Sequence, residues 1–341
     1  MASAPLLAVT DRGLYCAVAD VYIDPWAPVP RAVVTHAHAD HLTWGCDAYL
    51  VSREGEGVTR ERLGSWASGL ETIAYGEPRT IHGVRFSLHP AGHILGSAQV
   101  RVEYGGEVWV VSGDYKTDPD PTCTPWEPVR CHTFITESTF GLPIYRWPAP
   151  SLVAAQLNAW WASNACDGRV SLLCGYALGK AQRLLAMLDP TIGPILAHGA
   201  VERMTTLYRD AGVALPPTQY AGDALRDHRT RGALVIAPPS VTGSSWLRRF
   251  GDTRAAFASG WMRVRGARRR RGVDAGFTLS DHVDWPQLLG AIEATGASQV
   301  LVTHGFTTQV VQWLTERGLD ARVLPGRWRT DEDASDAAVE P

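Results

Sequence analysis

The chain has 341 residues, 45% of them hydrophobic and 20% charged, with a net charge of −3. That length exceeds one ordinary domain and implies two domains, or one domain carrying a large insert. The charge balance excludes a global polycation, so any nucleic-acid surface must be local, and no apolar run approaches the roughly 20 residues of a membrane span.

In chain order, the N-terminal run 4–9 is too short for a signal segment and lacks a basic start. Residues 13–25 read as strands with a turn that ends in Asp24-Pro25. Asp24 either caps the proline turn or orients a metal-bound imidazole from behind. The second role arises because the next apolar run, Ala32-Val33-Val34-Thr35, leads into His36-Ala37-His38-Ala39-Asp40-His41. A β-branched run there reads as a buried strand, which puts the cluster on the loop leaving it. Imidazoles and carboxylates suit hydrolytic metal ions. His36 and His38 point the same way on an extended loop and can chelate one ion, while Asp40 and His41 can serve a second nearby.

A helix is expected around 58–67, then strands up to Pro90. His93 follows between glycines, on a tight loop from which its ring can reach a cleft. His82, His89 and His132 lack such a context. The strand 107–111 runs into Ser112-Gly113-Asp114-Tyr115-Lys116, and a carboxylate at a strand's C-terminal end is where such folds place chemistry. Asp114 is therefore the candidate bridging ligand. The strand 133–136 ends in Glu137-Ser138-Thr139-Phe140-Gly141.

Prolines at 143, 148 and 150 then mark a linker, and Ser151 is expected to cap a helix reaching about residue 164. From there strands and helices alternate in the rhythm of a parallel sheet, so 142–275 reads as an α/β domain inserted into the first. Within it, Gly175-Tyr176-Ala177-Leu178-Gly179-Lys180-Ala181-Gln182 joins strand to helix. Its glycines and Lys180 suit a phosphate, or a plain structural turn. Between Trp246 and Arg271 stand nine arginines against one acid, Asp252. Arg263, Arg265, Arg268, Arg269, Arg270 and Arg271 there form either a grip on a phosphate backbone or a solvated loop. Trp261 beside them is the tryptophan nominated for base stacking.

After the insert come Ser280-Asp281-His282-Val283-Asp284-Trp285, then a buried strand 299–303 ending in His304-Gly305. Residues 331–341 read as a disordered acidic tail. The six cysteines form no C-x-x-C pair and are expected to be reduced thiols of a cytoplasmic protein.

His36-x-His38-x-Asp40-His41 resembles the signature of the metallo-β-lactamase fold. With Asp24, His93, Asp114, Glu137, His282 and His304 the set resembles the β-CASP branch of metallo-β-lactamase-fold nucleases. Gly-Tyr-Ala-Leu-Gly-Lys-Ala-Gln and Ser-Asp-His-x-Asp-Trp look most like the bacterial ligase-associated DNA exonucleases, although Val283 stands where alanine is expected. The resemblance implies an α/β fold, an αββα metallo-β-lactamase sandwich over 1–141 and 276–330, with 142–275 as an inserted β-CASP cap domain. It implies two divalent ions, Mn2+ or Zn2+. His36, His38, His93 and Asp114 would hold one, and Asp40, His41 and His304 the other, with Asp114 bridging.

Such a pair of ions can generate a hydroxide for in-line attack on a phosphodiester. His282 would neutralise the phosphate or protonate the leaving O3′, with Glu137 orienting its ring. The implied activity is a DNA nuclease of repair, most active on single strands that thread a cleft under the insert, and associated with an ATP-dependent ligase and a helicase. The competing expectations are a β-CASP ribonuclease, a small-molecule hydrolase of the same fold, and a non-enzymatic scaffold. The scaffold is disfavoured because every ligand is present.

Overall fold

The computed structural model describes residues 5–264, 266, 269 and 272–328. It divides into two compact units, Met1–Tyr145 with His282–Pro341, and Arg146–Asp281.

The first unit is built on two mixed sheets. One has six strands in chain order: Ala8–Thr10, Gly13–Cys16, Val21–Ile23, Arg31–Val33, Ala48–Ser52 and Leu70–Ile73. The other has seven, in the order Asp320–Val323, Gln299–Gly305, Thr133–Ser138, Glu107–Val111, Ala98–Tyr104, Val84–Pro90 and Pro78–Ile81. Successive side chains of a strand face opposite ways. Val111, Ile135 and Leu301 therefore join Val21, Ile23, Val33, Leu50 and Ile73 in a core shared by the two sheets. Their neighbours Val110, Phe134, Val300 and Val302 bury instead against Leu288 and Ile292 of the helix Trp285–Thr295, and Val310 and Leu314 of the helix Thr307–Thr315.

Parallel pairing decides where chemistry can gather. In the second sheet Glu107–Val111, Thr133–Ser138 and Gln299–Gly305 run parallel, and in the first Arg31–Val33 runs parallel to both its neighbours. His36 and Asp114 each lie on the loop just beyond such a strand, and Glu137 and His304 lie in the last residues of theirs.

The second unit is a six-stranded, all-parallel sheet in the order Gln219–Tyr220, Ile195–Ala197, Leu234–Ala237, Val170–Cys174, Thr253–Ala258 and Ala275–Phe277. Its central strands Val170–Cys174, Ile195–Ala197 and Leu234–Ala237 are buried along their whole length because both faces are covered. Leu173, Leu234, Ile236 and Phe277 pack with Leu157 and Trp161 of the helix Pro150–Cys166 and Leu184 of the helix Lys180–Leu185. Leu172, Leu196, Val235 and Phe257 join Ala221, Ala224 and Phe250 in a second cluster.

Several boundaries differ from those expected. Ala275–Phe277 pairs with Thr253–Ala258 and completes the sheet of the second unit, so that unit runs on to Asp281 and begins at Arg146. Ser151 caps nothing: Pro150 sits at the helix start, its fixed φ suiting the first turn, and Ser151 lies inside. The stretch 58–67 is α-helical only over Glu56–Leu63, followed by a 3-10 segment, Gly64–Gly69. The tail 331–341 lies outside the described residues. Among the described residues no cysteine forms a disulfide, and no helix is long and apolar enough to cross a membrane.

Candidate metal centre

Beyond Arg31–Val33 the chain turns at once. The amides of His41 and Leu42 both donate to His38 O, at 3.1 and 2.9 Å, so four donor side chains share one short turn. His36 Nε2 and His93 Nε2 each lie 3.1 Å from His38 Nδ1. Asp114 Oδ2 is 3.6 Å from His36 Nε2 and 3.9 Å from His93 Nε2. Ligands about 2.0–2.1 Å from a tetrahedral ion stand about 3.3 Å from one another, so this spacing suits a single ion. Asp114 also faces a second group. Its Oδ2 is 3.4 Å from His41 Nε2, which is 3.7 Å from Asp40 Oδ2, and its Oδ1 is 3.4 Å from His304 Nε2. Donor atoms of His36, His38, His93 and Asp114 all lie within 4.8 Å of one another, as do those of Asp40, His41 and Asp114, and of Asp114, Glu137 and His282. Asp114 is common to all three groups.

Two glycines let these loops close. At Gly113, φ 56°, a Cβ would meet Thr35 Cβ at 2.7 Å. At Gly92, φ 71°, one would run into the Lys116 carbonyl. The His93 loop is tied further by Ser97 Oγ, which accepts from the amides of His93 and Ile94 at 3.0 and 3.2 Å.

Asp24 decides which ring nitrogens are available. Its buried carboxylate accepts from Thr35 N at 2.8 Å and Thr35 Oγ1 at 2.6 Å, and lies 2.7 Å from His41 Nδ1. A carboxylate only accepts, so His41 carries its proton on Nδ1 and leaves the Nε2 lone pair for a metal. Thr35 spends its one hydroxyl proton on Asp24, so at 3.0 Å its oxygen accepts from His36 Nδ1, and His36 Nε2 is freed in the same way. Asp24 is thus hydrogen-bonded to His41 directly and linked to His36 through Thr35.

Glu137 does the same for His282. Its two oxygens each lie 2.9 Å from His282 Nδ1, and it also accepts from Tyr115 N at 3.0 Å and Thr139 Oγ1 at 2.5 Å. The His282 ring lies 4.9 Å from that of His93 and 6.1 Å from that of Phe140, centroid to centroid.

Charge in the cluster favours cations. Burial and then the neighbouring His41, His38 and His93 push the His36 pKa well down, so this imidazole is neutral, as a ligand must be. Burial opposes ionisation of Asp114, but His41, His282 and His304 outweigh it and hold the carboxyl well below its usual range. Burial likewise disfavours a charged His41, yet Asp114, Asp40 and Asp24 raise its pKa well above the ordinary value. Asp114 Oδ1 is buried without a hydrogen bond of ordinary geometry among the described residues. An ionised oxygen so placed among imidazole nitrogens is what a cation would satisfy. The donor set of imidazole and carboxylate fits zinc or manganese.

The nominated nucleic-acid contacts fare differently. Lys180 is 5% exposed, and its Nζ lies 2.8 Å from Asp281 and donates to Leu279 O at 3.2 Å. Arg183 Nη1 meets the same carboxylate at 2.9 Å. The Gly179 amide is taken by Gln182 Oε1 at 2.8 Å, and the helix it opens has six residues. Lys180 and the Gly179 amide are thus engaged within the chain itself. Arg263 and Arg269 are exposed, whereas Arg265, Arg268, Arg270 and Arg271 lie outside the described residues. Sequence reasoning missed Thr35, whose relay is invisible without the fold. Lys116, in the segment that carries Asp114, is 1% exposed and paired with Asp120.

No family model matches the chain. A probable DNA ligase of Opitutus terrae is 35% identical over 325 residues, 94% of this chain and 31% of that protein. Cleavage and polyadenylation specificity factor 73 of Drosophila melanogaster is 30% identical over 165 residues, 47% of this chain and 24% of that protein. Endoribonuclease YSH1 of Yarrowia lipolytica is 35% identical over 123 residues, 35% of this chain and 14% of that protein. The chain therefore spans less than a third of the length of each of these relatives. The crystal structure of a protein of unknown function from Enterococcus faecalis V583 matches with a TM-score of 0.58 at 12% identity, over 87% of this chain and 80% of that one, a likeness of fold alone. Together with the motifs from Asp24 to His304, these relatives support the β-CASP branch of the metallo-β-lactamase-fold nucleases, and they include proteins named for RNA and for DNA.

Proposed function

We propose that the chain is a metal-dependent phosphodiesterase that hydrolyses DNA, at least locally single-stranded, as the ligase-associated exonucleases of the β-CASP branch would. The observation that carries this reading is the convergence of His36, His38, His93, Asp40, His41 and His304 on Asp114, with the His282–Glu137 pair beside it. Two divalent ions, Mn2+ or Zn2+, would supply an activated water at neutral pH and neutralise the phosphate oxygens.

The chain's own residues do the rest. Asp114 spans both ligand groups and sets their separation. Asp24 and Thr35 keep protons off the ligating nitrogens of His41 and His36. Glu137 holds the His282 proton on Nδ1 and favours the charged ring. His282 Nε2 then neutralises the phosphate or gives its proton to the departing O3′, leaving a 5′-phosphate and a 3′-hydroxyl.

DNA is favoured because a relative matching 94% of the chain is named a probable DNA ligase; a repair role in the cytoplasm beside a ligase and a helicase belongs to the same proposal. RNA is the second reading, favoured by the relatives named endoribonucleases over a third to a half of the chain. The test incubates the protein with circular single-stranded DNA, linear duplex DNA and RNA, each with manganese, zinc or magnesium. Asp114→Ala serves as the control. Single-stranded DNA should be cleaved with manganese or zinc, and the variant should be inactive. A preference for RNA moves the chain to the ribonuclease reading, and a preference for a small ester removes the nuclease reading. Near-normal turnover by folded Asp114→Ala rejects the shared-carboxylate mechanism.

A further inference from the structure

Thirteen tryptophans occur in the chain, and eleven are buried or half-buried. The two exceptions are Trp44, 45% exposed, and Trp66, 54% exposed. They come together at one place. Trp44 Nε1 donates to Arg62 O at 3.0 Å, which fixes its indole against the end of the helix Glu56–Leu63. A Cβ at Gly45, the next residue, would stand 4.0 Å from Trp66 Cζ3. Trp44 also lies three residues beyond the candidate ligand His41.

Arg62 itself is half-buried, and among the described residues its guanidinium makes no hydrogen bond and no ion pair. Asp40, a candidate ligand of the second ion, is the charged group that acts on it. A partly desolvated guanidinium whose N–H donors make no hydrogen bond among the described residues can still take an anion. Large indole faces left in water call for something to cover them. A planar base and a phosphate are the two halves of one ligand that answers both.

Resting on the nuclease reading, we propose that Trp44 and Trp66 are a stacking platform for the bases of a single-stranded nucleic acid, with Arg62 holding a backbone phosphate as the strand enters the metal loop. Every base has a π-face, so such a platform binds with little regard to sequence. The arginine adds a fixed charge that cannot be lost by deprotonation.

The test measures binding of three probes of equal length to the full chain: an oligothymidylate, an oligouridylate, and an abasic strand. Trp44→Ala and Trp66→Ala should each weaken the base-bearing probes by about tenfold and leave the abasic strand unchanged. Trp44→Phe, which keeps a ring but loses the bond to Arg62, should restore most of the affinity. Arg62→Ala should weaken all three probes and flatten the log–log salt dependence by about one unit. The thymidylate and uridylate arms separate DNA from RNA as the occupant. If the tryptophan variants bind every probe as the wild type does, or lose the abasic strand equally, the platform is rejected. If they turn a dimeric wild type into a monomer in light scattering, a second copy covers these rings and the proposal also fails. If the wild type binds none of the probes, the nuclease reading itself has failed, a result distinct from a wild type that binds and variants that do not differ.

Discussion

Asp24→Asn changes one atom of the centre and should disable ligands on both sides of it. The variant suits the position, because asparagine tolerates the left-handed φ of 45° found there. Its Oδ1 can keep the bond from Thr35 N, now 2.8 Å. The amide NH2 then replaces Oδ2, so a donor faces His41 Nδ1 across what is now 2.7 Å. His41 must answer with a lone pair on Nδ1 and move its proton to Nε2, the atom that would ligate. The same NH2 donates to Thr35 Oγ1, whose hydroxyl proton is released and turns to His36 Nδ1, now 3.0 Å away. His36 then carries its proton on Nε2 as well.

Losing such an orienting partner typically costs 10–100-fold in metal affinity, about 1.4–2.7 kcal/mol. Because Thr35 links the two rings, the loss should fall on both ions and not on one. Global stability should move little, since the buried Thr35 amide stays bonded. Asp24→Ala would instead strand that amide and the hydroxyl at about 1–3 kcal/mol each. The measurement is a chelator competition on the ion-loaded protein, counting two ions separately, with a denaturant curve as the check on folding. Wild-type affinity for both ions in Asp24→Asn would refute the relay.

His282→Ala should lose about 10²–10⁴-fold in turnover while keeping both ions, because the ring acts on the leaving group or phosphate; loss of an ion by elemental analysis would instead make it a ligand. Lys180→Met should leave oligonucleotide affinity unchanged, since Nζ is engaged with Asp281. It should also cost less stability than Asp281→Ala in urea unfolding. The first leaves Asp281 with Arg183, whereas the second leaves two buried cations without their carboxylate, about 3–5 kcal/mol by analogy with broken buried pairs. Equal costs, or a lost affinity in Lys180→Met, would return Lys180 to the phosphate-binding role.

What was legible in the sequence is what depends on short range. Apolar runs such as Trp109 to Val111 and Val300 to Val302 are buried on both faces, so they announce strands, and the donors at their C-terminal ends announce a site. His36, His38, Asp40 and His41 needed only one turn to be seen together. His93, Asp114 and His304 are gathered by strands far apart in the chain, and only the resemblance could gather them beforehand. The insert's end was misjudged because a three-residue strand, Ala275–Phe277, carries almost no pattern of its own and is defined by its partner Thr253–Ala258.

Lys180 and Trp44 fail in opposite directions for a single reason. Residue type sets what a side chain can do, but solvent access sets what it does. A lysine after glycines has the chemistry of a phosphate contact, and burial against Asp281 consumes it. A tryptophan after a histidine cluster has the composition of a core residue, and the hydrogen bond to the Arg62 carbonyl holds it at the surface. Exposure is a property of the folded neighbourhood and has no periodicity to betray it. A basic run such as 268–271 is the most visible nucleic-acid signal in this chain. The contact proposed for Trp44, Trp66 and Arg62 is the less visible one, because it depends on a turn and a helix end that meet beside the metal loop.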